Sequence, residues 1–195
     1  VEARDLYKER YKREVDGVIA TEESKEDIKI TKVQVTNKKG AEAMGKPIGT
    51  YITIDLPDFS YYDGELMDKT SHVLCNCLKD IISINKESTV LVIGLGNMDV
   101  TPDVLGPKVV SKLMITRHLK VMMPDSIDEN IRPVCALAPG VLGTTGIETG
   151  EVVISLVNKI KPDLVICIDA LASRKLERVN RTIQIGNTGI SPGAG

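Results

Sequence analysis

Apolar positions recur along this chain in three different patterns. The first is alternation. From Asp27 to Thr36 the sequence reads D-I-K-I-T-K-V-Q-V-T, and from Tyr51 to Leu56 it reads Y-I-T-I-D-L before Pro57 stops it. A period of two marks strands with one covered face. Ile28, Ile30, Val33 and Val35 fall in one edge-type strand, with a one-residue phase slip between Ile30 and Val33 that points to a bulge or a twist. Val15 to Ala20 is a short apolar run broken by Asp16 and Gly17, and Lys38-Lys39-Gly40 reads as a turn. Together these segments predict an antiparallel subregion over residues 15–57.

The second pattern is helical. Leu66, Met67, Val73, Leu74, Leu78 and Ile81 recur at helical spacing and predict a helix over 61–83. The third pattern is continuous. Thr89 to Ile93, Pro133 to Ala138 and Leu164 to Ile168 are unbroken apolar runs rich in β-branched residues, as in strands covered on both faces. Helices are predicted between them, from about Pro102 to Leu119 and from about Ile147 to Ile160. Ser173 to Asn180 also reads as helical, and Thr182-Ile183-Gln184-Ile185 as a short strand. Apolar strands separated by helices imply a mostly parallel sheet with right-handed crossovers. The expected fold is therefore a single α/β domain over residues 1–195, with flanking helices and a small antiparallel subsheet near the N-terminus. Residues 1–14 are dense in charge and read as a helix or an arm. The final Ser191-Pro192-Gly193-Ala194-Gly195 has the composition of a loop, and a continuation of the chain is expected.

Composition narrows the function classes. The 195 residues are 42% hydrophobic and 27% charged, which fits a folded globular protein. Lys and Arg total 25 against 27 Asp and Glu, giving a net charge of -2, and aromatics are only 3%. That balance supplies neither an electrostatic pull on nucleic acid nor stacking platforms, so no direct nucleic-acid binding is expected. No apolar run reaches the roughly 18 residues of a membrane span, and Val1-Glu2-Ala3-Arg4-Asp5 does not read as a signal peptide. A cytoplasmic, membrane-free protein is expected. Cys75, Cys77, Cys135 and Cys167 show no zinc spacing and read as reduced core thiols.

In an open α/β sheet ligands sit beyond the carboxyl ends of the strands. The segments there begin at Gly94, Pro139 and Asp169, and the first and last each bring an aspartate, Asp103 and Asp169, to the same end. Gly94-Leu95-Gly96 is not a dinucleotide fingerprint, because Asp99 stands where its third glycine would be. The two glycines read as a tight turn leaving a buried strand. Asp103 has a plain alternative role as a first-turn helix acid. Asp169 has one as a cap or ion-pair partner, with Arg174 or Arg178 in reach by sequence. It nevertheless interrupts a run that is apolar from Leu164 to Ala172, and a carboxylate at that depth needs partners or a raised pKa. Two close carboxylates share protons unequally, so one can act as base on a water and the other as acid toward an amide. His72, His118 and Glu148 read as helix residues without a catalytic context. Asp125, Asp128 and Glu129 read as a solvated acidic loop.

Taken jointly, several segments resemble the germination protease family of spore-forming bacteria. They are Val92-Ile93-Gly94-Leu95-Gly96-Asn97, Val100-Thr101-Pro102-Asp103-Val104-Leu105-Gly106-Pro107, Ile115-Thr116-Arg117-His118-Leu119, Ala138-Pro139-Gly140-Val141, Thr145-Gly146-Ile147-Glu148-Thr149, Ile168-Asp169-Ala170-Leu171-Ala172-Ser173-Arg174 and Glu177-Arg178-Val179-Asn180. The resemblance runs from end to end. It implies an endopeptidase that degrades small acid-soluble spore proteins during germination in the spore core, made as a zymogen and assembled as a homotetramer. It places the family's two essential aspartates on Asp103 and Asp169, and implies a fold similar to that of hydrogenase-maturation proteases. Gly94, Gly96 and Asn97 would form the active-site loop and supply backbone donors to an oxyanion. No cofactor and no metal site are expected. The family continues beyond the position matching Gly195. Two other readings stand beside this one: a metal-dependent endopeptidase using the same acids as ligands, and a non-catalytic binding or assembly module of the same fold.

Overall fold

The computed structural model describes residues 15–25, 27–57, 63–173 and 176–190. The charged segment 1–14, the first two positions of the expected 61–83 helix, Arg174 and the terminal 191–195 lie outside the described residues. The architecture is α/β, with an antiparallel four-stranded sheet and a parallel three-stranded sheet. The described residues divide into two compact units. One runs through Ser83 and resumes over Ser173–Ile190; the other is Ile84–Ala172.

In the first unit the strands β1 (Val18–Lys25), β2 (Ile28–Val35), β3 (Gly49–Asp55) and β7 (Thr182–Gly186) lie side by side in that order. β2 is thus an interior strand, not the expected edge strand. It also has no bulge, since its pairing with β1 and β3 keeps one unbroken register. The phase slip has another cause. Ile28 and Ile30 join Ile52 and Ile54 beneath helix α2 (Gly64–Ile81), through Leu66, Val73 and Cys77. Val33 and Val35 point to the opposite face and pack with Val18 and Met44 of helix α1 (Lys38–Met44). The strand changes its apolar phase because a different helix covers each face at each end.

Helix α1 stands where a turn was expected at Lys38-Lys39-Gly40. Asn37 caps it, its Oδ1 accepting the Gly40 N–H at 2.8 Å, and Gly45 closes it at φ 60°. β7 completes the sheet against β3 from more than a hundred residues away, with Ile183 and Ile185 packed on the α2 core.

The second unit contains β4 (Val90–Gly94) between β5 (Val134–Leu137) and β6 (Leu164–Ile168), all parallel, as the continuous apolar runs predict, but β5 and β6 are half-buried rather than covered on both faces. All five β4 residues are buried. One face packs Leu91, Ile93 and Leu95 under Val153, Leu156, Val157 and Ile160 of helix α6 (Thr149–Ile160). At the end of β4, Gly94 faces Gly106 and Val110 of helix α3 (Leu105–Lys112).

The helix expected from Pro102 to Leu119 is broken. A 3-10 turn covers Thr101–Asp103, α3 follows, and α4 (Arg117–Met122) starts after a gap. Buried Thr116 makes the gap. Its N–H donates to Val134 O at 3.0 Å, its hydroxyl donates to Arg132 O, and Val134 N–H donates back to that hydroxyl at 2.9 Å. These bonds to Arg132, just before β5, and to Val134 at its start replace the helical ones. His118 therefore sits at the start of α4 rather than near a helix end. The helix expected from Ile147 starts at Thr149, after a short helix α5 (Leu142–Thr145) that ends in Gly146 at φ 70°. Of the helix expected over 173–180, the described residues hold one 3-10 turn, Leu176–Arg178, ended by Asn180 in a left-handed conformation. The four cysteines carry free thiols, but only Cys77 is a core residue; Cys135 is half-buried, and Cys75 and Cys167 are exposed.

Candidate active site

Beyond the β4–β6 ladder, the carboxyl ends of the two strands are also joined by a hydrogen bond from Leu95 N–H to Ile168 O at 2.8 Å. Each strand then delivers an acid. Asp169 follows Ile168 directly, and Asp103 closes the 3-10 turn that leads into α3. Asp103 does not cap α3, whose N-cap Val104 receives no side-chain bond. Its Oδ2 instead accepts the backbone N–H of Asn97 at 2.8 Å. Asn97 is held by its own side chain, whose Oδ1 accepts the Asp99 N–H at 2.9 Å. Asp103 is thus the first-turn acid of the 3-10 helix, as its plain reading has it, and its carboxylate also holds the Asn97 N–H.

The glycines have specific reasons. Gly96 has φ 116°, and a Cβ there would lie 2.0 Å from Asp103 O and 3.1 Å from its Oδ1. The bare backbone lets the loop wrap the Asp103 residue and keeps Oδ1 clear. Gly94 lies under α3, where a Cβ would meet Gly106 O at 2.3 Å.

Asp169 is partly buried, and its Oδ1 accepts the Ala170 N–H at 2.9 Å. Burial pushes its carboxyl above the ordinary carboxylate range, the Ala170 bond pulls the other way, and the Asp103 charge adds to the rise. The two aspartates are thus close enough to sense one another. Cys167, two residues earlier, is exposed as a residue, yet desolvation of its sulfur pushes the thiol up, and Asp169 adds to this.

The structure brings together Gly94, Gly96, Asn97, Asp103 and Asp169. It narrows the expected oxyanion role of the loop, because the Leu95 and Asn97 N–H groups are already committed to Ile168 O and Asp103. His72 is elsewhere, its Nδ1 bonded to Asp68 O at 2.8 Å within α2. Glu148 occupies the N-cap position of α6 without a side-chain cap bond. Among the described residues no three His, Cys, Asp or Glu side chains converge as a metal-binding cluster. Sequence reasoning gave no role to Gly106, although a glycine in the first turn of a helix was a signal for close backbone approach.

Comparison with known proteins decides the family. The germination protease family model matches residues 1–195, the whole chain. The chain belongs to the germination protease family. Among curated relatives, the germination protease of Clostridium perfringens (strain SM101 / Type A) is 66% identical over 196 residues, covering 100% of this chain and 60% of that protein. That of Clostridium tetani is 56% identical with the same coverages, and that of Bacillus mycoides is 44% identical, covering 100% of this chain and 54% of its own length. The chain thus spans about 60% or less of the length of these germination proteases.

Proposed function

We propose that the protein is an endopeptidase that cleaves small acid-soluble spore proteins during germination, with Asp103 and Asp169 as its acid–base pair. The observation that carries the reading is the delivery of both carboxylates to one end of the parallel sheet, within electrostatic reach of each other. Family membership supports the protease role. Burial raises the Asp169 pKa, and in this reading Asp169 is the proton donor and Asp103 the proton acceptor.

Asp103, oriented by the Asn97 N–H, takes a proton from a water molecule through its free Oδ1. The water oxygen adds to the peptide carbonyl carbon. Asp169 then donates its proton to the amide nitrogen as the carbon–nitrogen bond breaks. The products are a carboxylic acid and an amine, and the proton on Asp103 returns to solvent or to Asp169. The same reading extends to a zymogen, a homotetramer in the spore core and a fold related to hydrogenase-maturation proteases.

The test is cleavage of a purified small acid-soluble spore protein, read as discrete fragments on a gel. The complete parent chain is compared with Asp103→Asn, both shown to be folded. Loss of about 10²–10⁴ in rate is expected, as for removal of a general base. Equal cutting by both removes Asp103 from the mechanism. Cutting lost on chelation and restored by a divalent cation replaces the water-only pair with a metal-assisted site. No cutting by the folded mature parent replaces the enzyme with a binding module.

A further inference from the structure

We infer that Gly106 is a positioning residue for the aspartate pair: its bare backbone lets α3 seat on the joined ends of β4 and β6, and this seat holds Asp103 beside Asp169. The inference rests on the acid–base reading above and names what sets its geometry.

Gly106 is the second residue of α3. A Cβ there would lie 2.3 Å from Leu95 O, 2.5 Å from Ile168 O and 2.5 Å from Leu95 N. Two of these atoms are the donor and acceptor of a hydrogen bond that joins the ends of β4 and β6 beyond their ladder. The contact is reciprocal. A Cβ on Gly94 would lie 2.3 Å from Gly106 O and 2.7 Å from Val110 Cγ2. Helix and strand ends therefore meet backbone to backbone, and rotating a side chain cannot make room at Gly106.

Both acids are tied to this contact by short stretches of chain. Asp169 is the next residue after Ile168, and Asp103 lies three residues before Gly106, joined through Val104 in a helical conformation. Gly96, next to Leu95, abuts the Asp103 carbonyl. A methyl at position 106 must move either the helix or the strand ends by about 1 Å to restore ordinary contacts, and a misplacement of that size costs about 10²-fold in rate. Glycine is a poor helix former, so its presence in a first turn needs such a reason. Gly150 supplies the contrast. It is the second residue of α6, and nothing lies within 4 Å of its would-be Cβ.

The experiment measures steady-state cleavage of a purified small acid-soluble spore protein by the complete chain. The parent is compared with Gly106→Ala, Gly150→Ala, Val110→Ala and Asp103→Asn, with folding checked by circular dichroism. Gly106→Ala is expected to lose about 10²-fold in kcat with KM within about threefold. The high-pH limb of its activity should also move to lower pH, because Asp169 loses its neighbour. Asp103 raises the Asp169 pKa and Asp169 raises that of Cys167, and of Asp103 and Cys167 only Asp103 is joined to the start of α3. Gly150→Ala, the same exchange at the same helix position in open space, should match the parent.

If Gly106→Ala does not fold, Val110→Ala decides, since it trims the side chain that packs on Gly94 without adding a clash. It should lower kcat by a smaller factor and move the pH limb the same way. A folded Gly106→Ala, or Val110→Ala in its place, with parental kcat and pH limb overturns the inference. So does a loss confined to KM, or an equal loss in Gly150→Ala. Parental activity in Asp103→Asn overturns the acid–base reading itself, whatever the glycine variants do.

Discussion

At the scale of the residue, Asp169 is a carboxyl kept in an environment that does not favour its charge. Its pKa is raised chiefly by burial, with Asp103 adding to the effect. The consequence for stability has a definite sign. A carboxyl whose folded pKa lies above its unfolded value contributes most when protonated, and that contribution is lost as pH rises through the folded value. Asparagine keeps the oxygen that accepts the Ala170 N–H and carries no charge. Asp169→Asn should therefore melt close to the parent at about pH 3 and above it at about pH 7, where the unperturbed carboxylate is ionised. The same variant should lose cleavage at both. Thermal melts across this range check the point, and a lower melting temperature for Asp169→Asn near neutral pH would show that the carboxylate stabilises the fold instead. Asp169 stands out in the sequence as a carboxylate ending an apolar run, although the structure leaves that run half-buried and Cys167 exposed. Asp103 stands out less. It is a first-turn acid of the 3-10 helix, as its sequence position suggests, and the bond to the Asn97 N–H is the feature that the sequence does not announce.

At the scale of the element, local pattern succeeded where a segment carries its own reason to form. β4 is apolar throughout because α6 covers one of its faces and α3 packs against the end of the other, and the run can be read without knowing the partners. The pattern failed where a distant partner intervenes. The apolar periodicity from Pro102 to Leu119 continues through Thr116, but this threonine bonds to Arg132, just before β5, and to Val134 at its start, and breaks the helix. Nothing within the segment announces those partners. Thr116→Val tests the energetic worth of the break. Valine preserves the shape, leaves Val134 N–H and Arg132 O without the hydroxyl, and does so at a site only 4% exposed. Leaving buried polar groups unpaired costs about 1–3 kcal/mol each before relaxation. Denaturant unfolding should show a loss of about 2 kcal/mol. A loss under about 0.5 kcal/mol, the range of an ordinary surface substitution, would mean that water replaces the hydroxyl.

At the scale of the whole molecule, the order of elements along the chain differs from their grouping in space. The antiparallel unit is begun by β1 to α2 and completed only by β7, after the whole parallel unit has been traversed. The pairing of β7 with β3 was invisible to local pattern for the same reason as the Thr116 break, since its partner lies far away in sequence. Each unit has its own core. Ile183 and Ile185 pack with Ile52 and Ile54 under α2, whereas Leu91, Ile93 and Leu95 pack under α6. Ile183→Ala removes three carbons from a partly buried position of the first core, which costs about 1–2 kcal/mol at about 0.8 kcal/mol per fully buried CH₂. That cost should appear locally, because opening free energies follow cooperative units rather than the whole chain. In native-state hydrogen exchange the amides of β3 should exchange faster in Ile183→Ala, by about fivefold to thirtyfold for this energy. The amides of β4 should keep their parental rates. Equal acceleration in both strands would mean that the chain opens as one unit and that the two cores share a single cooperative transition.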